Sequence, residues 1–565
     1  MKKILALLLV LVCMFSTVAC GKKSFDKPDT FTKDGKLEIE FFGVDFDSLQ
    51  SQTEDTKKIM KVIEDKFNVA FVIKNGSSTS WKDQLNQFIG GGDVPDIFFH
   101  TKNEPSYSNW LEDEYLFNYS EMLDNYPNLK AAFGRFDENS MKSMLGGDYY
   151  GYPIVMDSET ESTIINEHAL YYRRDWYENL VAKGWQPDAA HKENPEHPEK
   201  SSRALKDPED PDFNYLNFYD LLEGFTLGNP DNKEKTDTYG YSLNKEGGVY
   251  WWYPLLSMFD VQVDGWEQDE NGKWMPEVIS DRMKEAVMWM ADMFDKGFIN
   301  DDYSTTTTQA KMKEDFVNGY AGMMTYNATF PMGKGVLDLM DKYAIDGKKL
   351  SDVVRAMPVV TGKNGQKQMF GYANYYGLLS INNDITENKK KTILSIMDWM
   401  LTEEGMNLLN YGIEGVHYKV ENGNIVSLLG KNDKGFDRTL YDADVAPGIY
   451  RIKSLVSWST KIPTTINHYE EQMQLLTAWE KKYLKMDELA FVSADAEFAI
   501  KISTLENARI KALQDIVNKI KGATTPEAKA EKREKIWSDF IESYLRSADT
   551  YIEEINTKAE SQLGL

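Results

Sequence analysis

The sequence predicts an α/β protein built as two lobes, and three observations carry that prediction. Between residues 37 and 99, strand-like and helix-like segments alternate, which is the repeat of a parallel sheet covered by helices. The chain has 565 residues, too many for one core, and no long linker divides it. Late in the chain, Gly371 to Ile381 reads as a buried strand followed by an amphipathic helix, so sheet-forming sequence returns after the middle. Two lobes between which the chain crosses more than once satisfy all three.

Each element has a local reason. Leu37-Glu38-Ile39-Glu40-Phe41-Phe42 alternates like a strand and ends at Gly43. Ile59, Met60, Ile63 and Phe67 recur at helical spacing within residues 53–67, with charges between them. Val69 to Ile73 is a second strand, closed by Asn75-Gly76. Trp81, Leu85 and Phe88 mark a helix running up to Gly90-Gly91-Gly92, and Asp96-Ile97-Phe98-Phe99 is a third strand. Ligands of such sheets lie beyond the carboxyl ends of the strands, which directs attention to the loop from His100 to Trp110. Further on, Ile393, Ile396, Met397, Met400 and Leu401 share one helical face, and residues 465–520 and 526–557 read as helices. The stretch Pro187 to Phe213 is polar and Pro-rich and reads as a surface insertion.

The N-terminus carries an address. Met1-Lys2-Lys3, an apolar run from Ile4 to Ala19, and then Cys20-Gly21 have the layout of a secretory signal peptide spanning residues 1–19. Thr17-Val18-Ala19-Cys20 resembles the lipobox of bacterial lipoproteins, which implies that Cys20 is lipidated and becomes the new N-terminus. Residues 20–36 then form a flexible tether to the extracellular face of the cell membrane. Cys13 leaves with the signal, so the mature chain has no internal disulfide. No second apolar run approaches the length of a membrane span.

Charge narrows the partners. The formal net charge is −26, and removal of Lys2 and Lys3 takes it to about −28. Such a surface repels nucleic acid, so no nucleic-acid partner is expected. Aromatic residues make up 13%, with 13 Trp and 31 Tyr. Most belong to cores, but Tyr and Trp are also amphipathic plates suited to the faces of sugar rings.

Several motifs resemble those of extracellular solute-binding proteins that feed ABC importers. Trp81…Leu85…Gly90-Gly91-Gly92-Asp93-Val94-Pro95-Asp96-Ile97 matches the first signature, and Gly147-Asp148-Tyr149-Tyr150-Gly151-Tyr152-Pro153 the next. Ala169 to Trp176, Lys296-Gly297-Phe298-Ile299 and Phe316 to Met324 match three more. The fullest match is Asp398-Trp399…Glu403-Glu404-Gly405…Tyr411-Gly412-Ile413-Glu414-Gly415-Val416-His417-Tyr418. These run in family order across residues 81–418, and the group most resembled is the larger lipoproteins of Gram-positive bacteria thought to bind oligosaccharides. The resemblance implies a two-lobed periplasmic-binding-protein-like fold of type II with a ligand cleft between the lobes. Residues 37–155 and 372–450 would form lobe 1, and residues 156–371 and 451–565 lobe 2. Crossings should fall near residues 153–158, 370 and 450. An oligosaccharide ligand and the transmembrane subunits of an ABC permease are the implied partners, and a monomer is expected.

Catalytic chemistry finds little support. The six histidines (His100, His168, His191, His197, His417 and His468) show no zinc-helix spacing. Nucleophile elbow, cysteine nucleophile and phosphate loop are all missing, and no cofactor is expected. The segment from Asn229 to Gly240 resembles a loop that in relatives looks like a calcium site. Here Asn229 takes the first ligand position, Lys233 stands where an Asn or Asp is wanted, and Glu234 replaces a glycine. A turn that keeps the shape without the metal is the expectation. For a sugar cleft, the candidates are aromatics beside amides and carboxylates in loops and at strand ends. They are Asp96, His100 and Trp110 in the first lobe, Trp251, Trp252, Tyr326 and Asn327 in the second, and Tyr375 and Tyr376 at the return crossing. Two other readings stay open: a binding protein for a peptide or other small solute, and a lipid-anchored enzyme acting on glycans.

Overall fold

The computed structural model describes residues 27–44, 53–76, 81–101, 106–134, 148–155, 164–165, 168–187, 204–233, 237–245, 248–301, 303, 308–327, 340, 349–373, 375–431, 438–440, 442, 444–446, 448–453, 456, 470–489, 492, 498–518, 520 and 522–563. The signal segment, Cys20 and residues 188–203 of the polar stretch lie outside the described residues.

The predicted alternation opens the fold as β1 (Leu37–Val44), α1 (Glu54–Phe67), β2 (Val69–Gly76), α2 (Trp81–Gly91) and β3 (Ile97–Thr101). Helix α1 starts where Thr53 accepts from the Thr56 N–H, with Glu54 and Asp55 in the first turn to meet the helix dipole. It stops at Asn68, which adopts the left-handed region at φ 54°. Ile59, Met60 and Ile63 face inward as their spacing requires. In β1 not only Leu37, Ile39 and Phe41 but also Phe42 is buried, because helices cover both faces of the sheet.

After β4 (Tyr152–Val155) the chain leaves this lobe and passes through β5 (Ile164–Ile165). The second lobe begins with β6 (His168–Arg173) and α3 (Arg174–Ala182), continuing through α4 (Tyr215–Leu227), β7 (Tyr239–Ser242) and α5 (Asp281–Asp295). It goes on with α6 (Gln309–Asn318), β8 (Ala321–Asn327), β9 (Val354–Ala356) and β10 (Met369–Phe370). Strand β11 (Tyr372–Ala373) leads back, and β12 (Tyr375–Ile381) and α7 (Glu387–Met400) rejoin the first lobe. The C-terminal part holds α8 (Glu403–Tyr411), α9 (Ile449–Lys453), α10 (Glu470–Tyr483), β13 (Leu484–Lys485), α11 (Ala499–Val517) and α12 (Pro526–Leu563).

The two large sheets among the described residues are ordered β2-β1-β3-β12-β4 and β9-β6-β8-β7. Each is mixed, with one interior strand opposed to its neighbours: β12 against β3 and β4, and β6 against β8 and β9. Both are the strands laid down directly after a crossing. The chain enters each lobe at the edge nearest the other, so that strand runs away from this edge while its neighbours run toward it. Strands β5 and β11 pair antiparallel between the lobes, Tyr372 opposite Ile165 and Ala373 opposite Ile164. One core draws on residues from Leu37 to Ile154 and from Leu378 to Val456. Another draws on residues from Leu170 to Phe370, with Leu513, Ile516, Trp537, Phe540 and Tyr544 of α11 and α12 packed onto it.

Three segments differ from their sequence reading. The helical stretch 465–520 is broken, because β13 pairs with β10 and the Gly371 N–H donates to Lys485 O at 2.8 Å. Of the polar stretch after Pro187, the described end is packed rather than projecting. Leu205 and Phe213 enter the second core, and Arg174 holds Asp207 through bonds of 2.7 and 3.1 Å. Residues 27–36, read as tether, are pinned to the first lobe. The Lys27 N–H donates to Asp384 O at 2.8 Å, and its Nζ donates to Val94 O at 2.8 Å and to Glu40 Oε2 at 2.5 Å. Asp29 accepts from Thr386 Oγ1 at 2.5 Å and from Asn388 Nδ2 at 3.0 Å.

Candidate functional site

The strands place two edges at the hinge ladder formed by β5 and β11. In the first lobe, β3 ends at Thr101, β4 ends at Val155 and β12 begins at Tyr375. In the second, β7 ends at Ser242, β8 at Asn327 and β9 at Ala356, while β6 begins at His168. These are the carboxyl ends at which an α/β sheet leaves room for a ligand.

The sequence candidates distribute unevenly over this arrangement. Asp96 precedes β3, at the end of the strand away from Thr101. It is fully buried, accepts the Glu40 N–H at 2.8 Å, and pairs with Lys389 Nζ at 2.9 Å and Lys27 Nζ at 3.1 Å. His100 is also fully buried, with Nε2 3.0 Å from Ser380 Oγ and its ring centre 5.2 Å from Tyr107 and 5.3 Å from Trp110. Burial pushes its pKa down to about 4, so the imidazole is neutral. Trp110 meets Phe98 edge-on at 6.0 Å inside the same core. Trp252 is fully buried in the second core.

Trp251 and Tyr326 are brought together, but as buried members of a third apolar core rather than as an exposed plate. Their rings stack at 5.7 Å with an interplanar angle of 7°, and His168 stands edge-on to Trp251 at 5.5 Å. Lys313 Nζ donates to the Tyr326 hydroxyl at 3.3 Å and lies 5.1 Å from the ring centre. Asn327 ends β8 opposite His168, and Tyr375 opens β12 opposite Val155. The side chains of Asn327, Tyr375 and Tyr376 lie outside the described residues.

Sequence reasoning missed a pocket beside this pair. It is lined by His168, Tyr253, Ser257, Val359, Gln368 and Phe370, with further apolar groups. The available signal was modest: Tyr253-Pro254 directly follows the two tryptophans, and Gln368 to Phe370 directly precede the return crossing. In the former calcium-like segment, Lys233 Nζ lies 2.9 Å from Asp231 Oδ2, and Lys183 donates to Asn229 O. An ammonium thus meets the carboxylate that a metal would need, so the described residues of this segment do not fit a divalent cation. Residues 234–236 lie outside the described residues. Among the described residues no group of three or more His, Cys, Asp or Glu side chains could hold a metal.

No known family profile matches the chain. In sequence it is 24% identical over 482 residues to lipoprotein LipO of Bacillus subtilis (strain 168), covering 83% of this chain and 82% of that protein. It is 22% identical over 486 residues to the polygalacturonan/rhamnogalacturonan-binding protein YtcQ of the same organism, covering 85% and 81%. In structure it is similar to the alginate-binding protein AlgQ2 without calcium ion, with a TM-score of 0.61, 14% identity, and coverage of 94% of this chain and 99% of that one. The N-glycan transport solute-binding protein NgtS from Streptococcus pneumoniae gives 0.60 at 14% identity, covering 93% and 99%. An extracellular solute-binding protein from Bifidobacterium longum subsp. infantis gives 0.59 at 16% identity, covering 91% and 100%. Motifs, relatives and architecture agree: the chain has the two-lobed fold of solute-binding proteins and resembles extracellular solute-binding proteins in sequence.

Proposed function

We propose that the chain captures an oligosaccharide between its lobes and delivers it to the transmembrane subunits of an ABC permease. The observation that carries this reading is the pair of sheet edges meeting at one hinge ladder. Similarity to a protein named for binding polygalacturonan and rhamnogalacturonan, and folds named for binding alginate and transporting N-glycans, supports a saccharide ligand. Contacts from both lobes exist together only when the hinge closes, so ligand shifts the population toward the closed form. The cleft would lie between residues 37–155 with 372–456, since Ile452 and Val456 pack in the first core, and residues 156–371 with the chain after 456. Asn327, Tyr375 and Tyr376 are the proposed contacts nearest the hinge.

The relatives are named as a lipoprotein and a binding protein, which favours capture without chemistry on the ligand. Lipidation at Cys20 would hold a monomer on the extracellular face of the membrane and raise its concentration near the permease. Thermal-shift measurements with oligosaccharides and with peptides test the ligand class, because a specific ligand stabilises the folded chain by linkage. Saturating oligosaccharides should raise Tm. A rise with peptides alone would sink the saccharide reading. New reducing ends on incubation with those oligosaccharides would instead make the protein an enzyme.

A further inference from the structure

The N-terminal strap, residues 27–36, joins the first lobe at one edge only. Strands β1 and β3 begin at that edge and β12 ends there, while their other ends lie toward the hinge. Lys27 bonds Asp384 just past β12 and Val94 just before β3. Asp29 bonds Thr386 and Asn388 at the start of α7. The seven residues of β12 put this pole about 20 Å from the hinge edge.

Only residues 21–26 stand between Cys20 and Lys27. Even fully extended, that stretch reaches about 25 Å. A lipid on Cys20 therefore keeps this pole close to the bilayer. The second lobe lies beyond the hinge, on the other side of the first.

The surface of the pole suits such a neighbour. Phe31 is 57% exposed, and Lys33 on the following turn is exposed as well. An aromatic ring with an ammonium group nearby fits the headgroup layer, where the ring leaves water and the ammonium meets phosphate. The strap carries three lysines against two aspartates, in a chain whose net charge is −26. Asp93 and Glu387 beside it are paired with Lys74 at 3.1 Å and Lys390 at 3.4 Å. The pole thus lacks the excess of negative charge that would push it off anionic headgroups.

We propose that the strap pole of the first lobe, with Phe31 at its surface, docks on the lipid bilayer, so that the first lobe is held at the membrane and hinge closure moves the second. The proposal rests on the lipidation reading above and adds the face that meets the membrane and the lobe that moves. The strap sets the geometry, because unpinning it would stretch the reach from Cys20 to Leu37 to about 60 Å and free the body to turn.

The lipidated full chain is bound to vesicles of phosphatidylethanolamine and phosphatidylglycerol that carry a fluorescent acceptor on their headgroups. With Cys20 lipidated and Cys13 removed, a donor dye reacts only at an introduced cysteine. Gly91→Cys marks the pole, at an exposed site where a Cβ meets nothing within 4 Å. Asn318→Cys marks the far edge of the second sheet, exposed at the end of α6 just before β8. Energy transfer should be about threefold or more stronger from position 91 than from 318, because it falls steeply beyond the short reach of the anchor. Combining Lys27→Ala with Asp29→Ala should narrow that ratio. Equal transfer from the two positions would overturn the docked pole, and a ratio unmoved by the double variant would overturn the strap as its cause. As a measure free of labels, trypsin should cut at Lys33 more slowly in the vesicle-bound chain than in the Cys20→Ala form, and equal rates would also overturn the docked pole. Failure of the chain to stay on vesicles at all would sink the lipidation reading itself, an outcome distinct from equal transfer in a bound protein.

Discussion

In the first lobe a buried carboxylate, Asp96, lies between two lysines. In the second, a buried Glu277 and a half-buried Asp487 have more negative than positive charge around them. Each cluster fastens a peripheral segment to its lobe. Lys27 and Asp96 hold the N-terminal strap, while Asp487 accepts the Trp266 and Leu489 N–H groups at 2.5 and 2.6 Å and holds the segment after β13. The second cluster converges on Gly265, where a Cβ would lie 2.6 Å from Glu277 Oε2 and 3.1 Å from Asp487 Oδ2. Arg282 reaches Glu277 at 3.3 Å but is shared with Asp260 and Glu267.

The electrostatic consequences are opposite. Burial raises Glu277 to about 7, with the charges of Asp487 and Glu267 adding to it, and burial raises Asp487 to about 6. For Glu40 in the first cluster, burial works upward, but hydrogen bonds and charge from Lys27 and Lys74 outweigh it and lower the pKa. For Lys27, burial works downward, but Glu40 and Asp96 outweigh it and raise the pKa. A lowered carboxylate loses its contribution only as pH falls through the acid range, and a raised lysine only in strong alkali. The first clamp is therefore indifferent to pH near neutrality. The second is most favourable when protonated, and its cost grows as pH rises from the ordinary carboxylate range of about 4 toward 7. Similar fasteners can respond differently to pH, and the balance of neighbouring charges decides which way.

Removing Asp96 should break this contrast most forcefully. Asp96→Ala leaves the ammonium of Lys389, 1% exposed, without its carboxylate, and should cost about 3–5 kcal/mol in urea unfolding near pH 7. A loss below about 1 kcal/mol would mean that the pair does not govern the lobe's stability. Glu277→Gln should sharpen it. The variant should gain about 1–2 kcal/mol near pH 8 and lose that advantage by about pH 5, where wild-type Glu277 carries its proton. A pH-independent difference between the two proteins would contradict the assignment. The smallest effect is expected from Lys27→Ala, about 1 kcal/mol or less. Its readout is faster tryptic cleavage at Lys33 and Lys36 as the strap lifts, and an unchanged cleavage rate would show that Asp29 suffices to hold it.

Local pattern made much of this legible beforehand. Strands β1 to β3 and their helices were predictable because alternation, helical spacing and the Gly and Asn stops are encoded within a few residues of each element. Sheet direction was not, because the opposed sense of β12 and β6 follows from where the chain crosses. Trp251 and Tyr326 stood out singly as aromatic candidates, but stacking between distant segments leaves no trace in either one. Asp96 read as a strand-end group because its partner Lys389 lies 293 residues away. The pocket was invisible for the same reason: His168, Tyr253 and Phe370 belong to three separate segments, each unremarkable alone.

The opposed strand of the first sheet also governs the order in which the molecule can be finished. Strand β12 sits between β3 and β4, yet it follows the whole run from β6 to β11. Until residue 381 has emerged from the ribosome or translocation pore, β3 and β4 each carry an edge waiting for its partner. The second sheet has all four strands once Ala356 is out. Such delayed long-range pairing slows folding and exposes aggregation-prone edges. The lobe whose strands are made first is completed after its neighbour's sheet, and that interval is when the chain most needs a chaperone's protection.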